Sequence, residues 1–287
     1  MQLGVSMYSY YAAVRDGRLD IPGFIREAKQ AGAEGVELLD FFYKDFGTDK
    51  AALAEDRAKA GDALAETGLT VPIFSVANNF AKPSVEERET QVGKIRFGVD
   101  EALHYGAKTV RVFAGDVAEG LTFDQVRAWI VEGLASASTY AFDRGIRLAL
   151  ENHGKLAGRG EQVRGIINDV RAACGNDALG ANPDTGNFLL VNQPSHEAIA
   201  EVASLAYMVH FKDFAAASAD DEGWTYDALD GSRYLGACVG EGMVQLETCI
   251  ELLRKAGFNG WLSVEYEGRE DPITAVPRSV ANARRYL

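Results

Sequence analysis

The strongest constraint on this chain is a rhythm. Eight short apolar runs recur along it, at residues 3–8, 35–39, 70–76, 109–113, 147–151, 179–184, 207–210 and 261–265. Between and after them lie longer amphipathic stretches with helical spacing, at residues 21–31, 50–66, 85–105, 123–143, 161–173, 195–203, 245–255 and 273–286. Strict alternation of strand and helix demands a parallel sheet, because parallel neighbours need a crossover between them. Eight such units in 287 residues fit a (β/α)8 TIM barrel, which typically takes about 250 residues or somewhat more. An open doubly wound sheet would show fewer units and a glycine-rich phosphate loop after its first strand. Here the first run leads into Tyr8-Ser9-Tyr10-Tyr11 instead. No linker or low-complexity stretch interrupts the pattern. The expectation is one α/β domain over residues 1–287, with its active site at the C-terminal ends of the strands.

Charge narrows the partners. Lys and Arg total 29 against 42 Asp and Glu, a formal net charge of −13. Nucleic acid and anionic membrane both favour basic surfaces, so neither is expected as a partner. The first six residues enter an apparent strand directly, and no apolar run is long enough to span a bilayer. Cys174, Cys238 and Cys249 have no metal-knuckle or redox spacing. They read as reduced thiols of a cytoplasmic protein. A homo-oligomer is compatible with the sequence.

The chemistry should sit where the strands end. The fifth run reads Arg147-Leu148-Ala149-Leu150-Glu151-Asn152-His153. Side chains alternate between faces, so Leu148 and Leu150 face the helices while Glu151 and His153 face the barrel axis. The sixth run ends at Asp184, the seventh at His210 and the eighth, Trp261-Leu262-Ser263-Val264-Glu265, at an inward Glu265. Adjacent strands lie about 4.8 Å apart, so four consecutive strand ends can converge on one ion. Taken singly each residue has an ordinary structural explanation, Glu151 as the partner of an arginine or His210 as a satisfied core histidine. Together, three carboxylates in one confined place repel one another unless a cation compensates them. The mixed donors suit Mn²⁺, the first expectation, or Mg²⁺, Co²⁺ or Zn²⁺.

These residues also carry a likeness. The chain resembles the xylose isomerase-like superfamily of TIM barrels, the sugar phosphate isomerase/epimerase group. That group includes ketose 3-epimerases, inosose dehydratase and isomerases of related sugars. The matching segments are Gly35-Val36-Glu37-Leu38, Glu151-Asn152-His153, Asp184-Thr185-Gly186-Asn187, His210-Phe211-Lys212-Asp213, Gly240-Glu241-Gly242 and Glu265. The resemblance implies metal ligation by Glu151, Asp184, His210 and Glu265. It departs from ketose 3-epimerases in two places. Asn187 stands where they carry a histidine three residues after the metal aspartate, and Phe214-Ala215-Ala216-Ala217 stands where they carry a substrate-binding arginine. The endonuclease branch uses more histidines. This chain has four, and two of them, His104 and His196, fall on helices.

The expected reaction is proton transfer next to a carbonyl of a small, non-phosphorylated sugar or cyclitol. A metal would stabilise the enediolate while Glu151 and Glu265 act as bases on opposite faces. The outcome is isomerisation or epimerisation. A dehydratase or lyase acting on a keto-sugar or inosose is the alternative. His153, Asn187 and Lys212 are expected substrate contacts, with Tyr8, Phe41 and Trp224 forming an apolar wall. Glu37 and Arg111 both point inward and are expected to form a buried ion pair that fills the barrel.

Overall fold

A computed structural model of the chain describes residues 1–116, 120–218 and 220–287. Eight parallel strands form the barrel: β1 (Gln2–Ser6), β2 (Gly35–Leu39), β3 (Thr70–Ser75), β4 (Thr109–Phe113), β5 (Arg147–Glu151), β6 (Leu179–Asn182), β7 (Val209–Phe211) and, last in the chain, β11 (Trp261–Val264). Their hydrogen-bonded order is β6-β5-β4-β3-β2-β1-β11-β7. The sequence therefore predicts all eight strands and their parallel pairing. Between β6 and β7 there is no ladder. The barrel closes there through two isolated bridges, Ala181 with Ala206 and Asp184 with His210. Three backbone bonds accompany them, from Tyr207 to Ala181 (2.9 Å), His210 to Pro183 (3.1 Å) and Thr185 to His210 (3.0 Å).

After a short α1 (Tyr11–Arg15), the main helices are α2 (Ile21–Gln30), α3 (Lys50–Thr67), α4 (Val85–Tyr105), α5 (Phe123–Phe142), α6 (Gly160–Cys174), α7 (Ser195–Val202), α8 (Leu246–Lys255) and α9 (Pro272–Ala283). Local chemistry starts several of them. Asp20, Asp49, Ser84 and Asp271 each accept a hydrogen bond from a first-turn amide that would otherwise lack a partner. Among the described residues no helix is long and apolar enough to cross a membrane, and all three cysteines are free.

The core has two parts, as the strand alternation requires. Outward side chains such as Leu148, Leu150, Val110 and Val112 pack under the helices in one continuous apolar layer. Inside, Ile73, Ala149 and Met208 form a separate small cluster, with Tyr207 and Trp261 against it. This apolar plug fills the barrel below the site.

Between β7 and β11 the chain makes an excursion. It forms a three-stranded antiparallel sheet from β8 (Asp213–Ala216), β10 (Arg233–Ala237) and β9 (Tyr226–Asp227) in that order. Asp213 fastens its return. Its carboxylate accepts bonds from the amides of Gly240 (3.0 Å), Gly242 (3.0 Å), Val244 (3.1 Å) and Phe214 (2.9 Å). A Cβ on Gly242 would collide with the Asp213 carboxylate, which accounts for a glycine there.

Candidate metal centre

Glu151 ends β5 and projects inward, as its parity predicts. Asp184 follows β6 at the bridge to His210 in β7, and Glu265 directly follows β11. Each of the four offers a donor atom, and these atoms all lie within 4.8 Å of one another. All four residues are buried. Their orientations are set by neighbours. Asp184 Oδ1 accepts bonds from the amides of Gly186 (2.8 Å) and Asn187 (2.9 Å). Asn152 braces the same turn from β5, donating to the Asp184 carbonyl (3.1 Å) and accepting from its amide (2.7 Å). Glu151 accepts from Asn187 (3.2 Å) and Asn182 (3.4 Å).

The imidazole of His210 has two distinct sides. Its Nε2 lies 3.1 Å from both oxygens of Glu37. Its Nδ1 faces the cluster, 3.1 Å from Glu151, 3.5 Å from Glu265 and 3.9 Å from Asp184. Glu37 also accepts from Ser263 Oγ at 2.6 Å and from Ser75 Oγ. A carboxylate that accepts the Nε2–H bond holds that proton in place and leaves Nδ1 as the nitrogen presented to the cluster, the arrangement that orients a metal-binding histidine.

The expected Glu37–Arg111 ion pair is therefore corrected. Glu37 is taken by His210 and the two serines, while Arg111 reaches Glu151, with Nε 3.3 Å from Oε2. Its Nη1 donates to the Val76 carbonyl at 2.9 Å, and the guanidinium lies 3.9 Å from the Phe113 ring centre. Both residues point inward as predicted. Parity fixes the direction of a side chain but not how far a long arginine climbs along the axis.

Ionisation follows from burial set against these contacts. Burial alone would raise the Glu151 carboxyl, but His210 and Arg111 outweigh it and hold it at about 2. Burial is likewise outweighed at Glu265 by His210 and Lys212, which also hold it at about 2. Asp184 goes the other way. Burial, with Glu151 and Glu265 adding to it against the pull of Lys212, pushes it up to about 7. His210 is raised well above its usual value because Glu265, Glu37 and Glu151 overcome the effect of burial.

The residues fit a divalent cation. Asp184 Oδ2 and His210 Nδ1 are buried and have no hydrogen-bond partner, although both face the cluster. Lys212 Nζ lies 3.0 Å from Asp184 Oδ2 without hydrogen-bond alignment. An unpartnered carboxylate oxygen and an unpartnered imidazole nitrogen, beside two ionised glutamates, form an oxygen-and-nitrogen donor set suited to a metal.

Above the cluster is a cavity of about 340 Å³. Tyr8, Phe41, His153, Asn187, Lys212 and Trp224, the expected substrate contacts, all line it. Lys212 is buried and bridges Glu265 and Glu267, 2.8 Å from each, with Asn187 at 3.4 Å. Gly186 makes room for it, since a Cβ there would come within 2.9 Å of Lys212 Cγ. Glu267 is a residue the sequence reading missed. It lines the cavity and accepts from Tyr226 as well as Lys212. Its signal was available, because it stands two residues beyond Glu265 and shares its parity.

The comparisons agree with this architecture. Residues 25–286 match the family model described as xylose isomerase-like TIM barrel. An inosose dehydratase of Lacticaseibacillus casei is 27% identical over 279 residues, covering 92% of this chain and 87% of that protein. Among solved structures, a D-tagatose 3-epimerase-like protein superposes with a TM-score of 0.75 at 16% identity, over 100% of this chain and 97% of its own. The IolI protein with a bound zinc atom superposes with a TM-score of 0.72 at 16% identity, over 100% and 96%. The chain belongs to the xylose isomerase-like TIM barrel family.

Proposed function

We propose that this chain is a divalent-metal-dependent isomerase or epimerase of a small sugar or cyclitol, working by proton transfer next to a carbonyl. The observation that carries the proposal is the pair of ionised glutamates, Glu151 and Glu265, which belong to one buried four-donor cluster and line a 340 Å³ cavity. Glu151, Asp184, His210 and Glu265 would hold the metal, with Mn²⁺ as the working ion. Bound there, it would supply Lewis-acid polarisation of a carbonyl oxygen.

The remaining chemistry belongs to side chains. His210, with Arg111 at Glu151 and Lys212 at Glu265, keeps the two glutamates ionised, so each can accept a proton. One removes the proton beside the carbonyl and the other returns one from the opposite face. Glu37 fixes the tautomer of His210. Asn187 ties Glu151 to Lys212 and holds both at the cavity wall. Tyr8, Phe41 and Phe113 supply apolar surface against a ring and keep water from its carbons.

A dehydratase is the second reading, and two observations favour it. The Lys212 ammonium sits beside Glu265 and can donate a proton to a departing hydroxyl, and the inosose dehydratase matches over 92% of this chain. One experiment separates the readings. Metal-loaded protein is incubated in D₂O with ketoses, inososes and 3-keto-glycosides. Deuterium next to the carbonyl together with a new epimer or isomer is expected. Deuterium with loss of water assigns the dehydratase, and no exchange into any of these substrates overturns both.

A further inference from the structure

The cavity over the metal ligands does not end at a single chamber. A second cleft of about 60 Å³ adjoins it, lined by Tyr11, Ala12, Tyr266 and Pro272. Tyr8, Trp224 and Glu267 line both hollows. Trp224 and Tyr11 are 64% and 41% exposed, yet both line this cleft. Neither is a loose surface residue. The Arg269 guanidinium donates two bonds to the Trp224 carbonyl, at 3.1 and 2.8 Å, which fixes the backbone beneath the indole. The indole also lies 4.7 Å from the Tyr226 ring. Tyr11 stacks on Tyr8 at 5.4 Å with 24° between their planes.

Pinned aromatic faces turned toward water beside a chamber that holds carboxylates make a stacking platform. A flat ring with an apolar face covers them, while its hydroxyls reach the nearest carboxylate. That carboxylate is Glu267, which is held between Lys212 and Tyr226 at the boundary of the two hollows. Volume points the same way. The main chamber, about 340 Å³, is at the small end of ligand pockets, which run roughly 300–1,000 Å³, and the cleft extends the space beside it. The cleft encloses only part of a second ring, whose outer face stays in water.

We propose that the substrate is a glycoside. The reacting ring lies over the metal ligands, and a second ring, joined through a glycosidic oxygen, rests on Trp224 and Tyr11. This rests on the sugar chemistry proposed for the main chamber, and its test is a binding measurement that does not depend on turnover. Quenching of tryptophan fluorescence in metal-loaded protein is titrated with glucose, galactose and myo-inositol, and with their phenyl glycosides and glucosyl disaccharides. At least one glycoside should bind about tenfold more tightly than its parent. A gain confined to disaccharides assigns the second ring as a sugar; a gain with phenyl glycosides too assigns any flat ring. Tyr11→Ala should cut the glycoside-to-parent ratio severalfold, and Ala12→Trp, which fills the cleft, should abolish it. A panel in which no glycoside outbinds its parent, including one in which nothing binds, overturns the subsite. So does a ratio unchanged in both variants. Deuterium exchange into free ketoses without glycoside preference removes the subsite and leaves the reaction standing. Glycoside preference without exchange into any substrate does the reverse.

Discussion

Replacing Glu37 with Gln keeps the shape of the side chain and removes one charge from a fully buried place. Glu37 accepts from three donors, His210 Nε2, Ser263 Oγ and Ser75 Oγ. A glutamine has one acceptor oxygen and an amide nitrogen that only donates. With three donors around it, the amide nitrogen must face at least one of them. His210 can relieve that conflict by moving its proton to Nδ1, which then points a hydrogen at the carboxylates where a metal needs a lone pair. The wild-type carboxylate forbids that tautomer and the variant permits it. Loss of such an outer partner typically costs about 10–100-fold in metal affinity, or ~1.4–2.8 kcal/mol. The upper end is expected here, since His210 and Glu37 are both fully buried and no water can take over the bond. Competition against a chromogenic chelator measures the affinity directly. Thermal unfolding in chelator should show a smaller loss, because the variant also relieves repulsion between Glu37 and Glu265. A Glu37→Gln protein that binds Mn²⁺ within twofold of wild type would refute the orienting role.

Four further outcomes are expected. Elemental analysis should find about one divalent ion per chain, most of it lost in His210→Ala; full retention removes His210 as a ligand. Arg111→Met removes one of the two buried cationic partners of Glu151, His210 being the other, and should destabilise metal-free protein by up to roughly 3–5 kcal/mol, with a smaller loss when metal neutralises Glu151; equal losses in both states would sink that account. Glu151→Gln and Glu265→Gln should each lower turnover by roughly a hundredfold or more while retaining some metal. Each should block deuterium exchange from one epimer if two bases operate, whereas native turnover in both sends the search for the base to His153 and Lys212. Finally, Asp184 sits at about 7, raised above its usual value. Its protonated form stabilises metal-free protein fully below about pH 4, and that stability is lost as pH rises through 7. Metal displaces the Asp184 proton below pH 7 and the His210 proton across a wider range. Affinity should therefore rise by about two orders of magnitude per pH unit below 7 and about one above; a pH-independent affinity refutes the assignment.

Much of the site was legible because strands impose a period of two. Glu151, His210 and Glu265 could be placed inward from the apolar residues that alternate with them, and the structure gathers them with Asp184. Partners were harder to read. Sequence shows that Glu37 and Arg111 enter the same barrel, but their depth depends on register and reach, and so Arg111 met Glu151 and Glu37 met His210. The excursion after β7 was visible only as the long gap between the seventh apolar run and the amphipathic stretch at residues 245–255. Its antiparallel sheet was not, because β9 is two residues long and β8, Asp-Phe-Ala-Ala, carries no alternation. Arg269, which pins Trp224, gives no local signal at all, since its partner is a backbone carbonyl 45 residues away.

The closure between β6 and β7 has a mechanical consequence. Seven junctions of the barrel are stitched by ladders, and the eighth is held by two bridges, one of them between Asp184 and His210. Those residues belong to the donor cluster, one from each side of the gap. An ion seated there would act as a rivet across the weakest join of the wall, with Glu151 and Glu265 spreading its load to β5 and β11. Loading and sealing then become a single event. In the metal-free barrel this line is the one join without a ladder, and a seated ion would close the hoop across it.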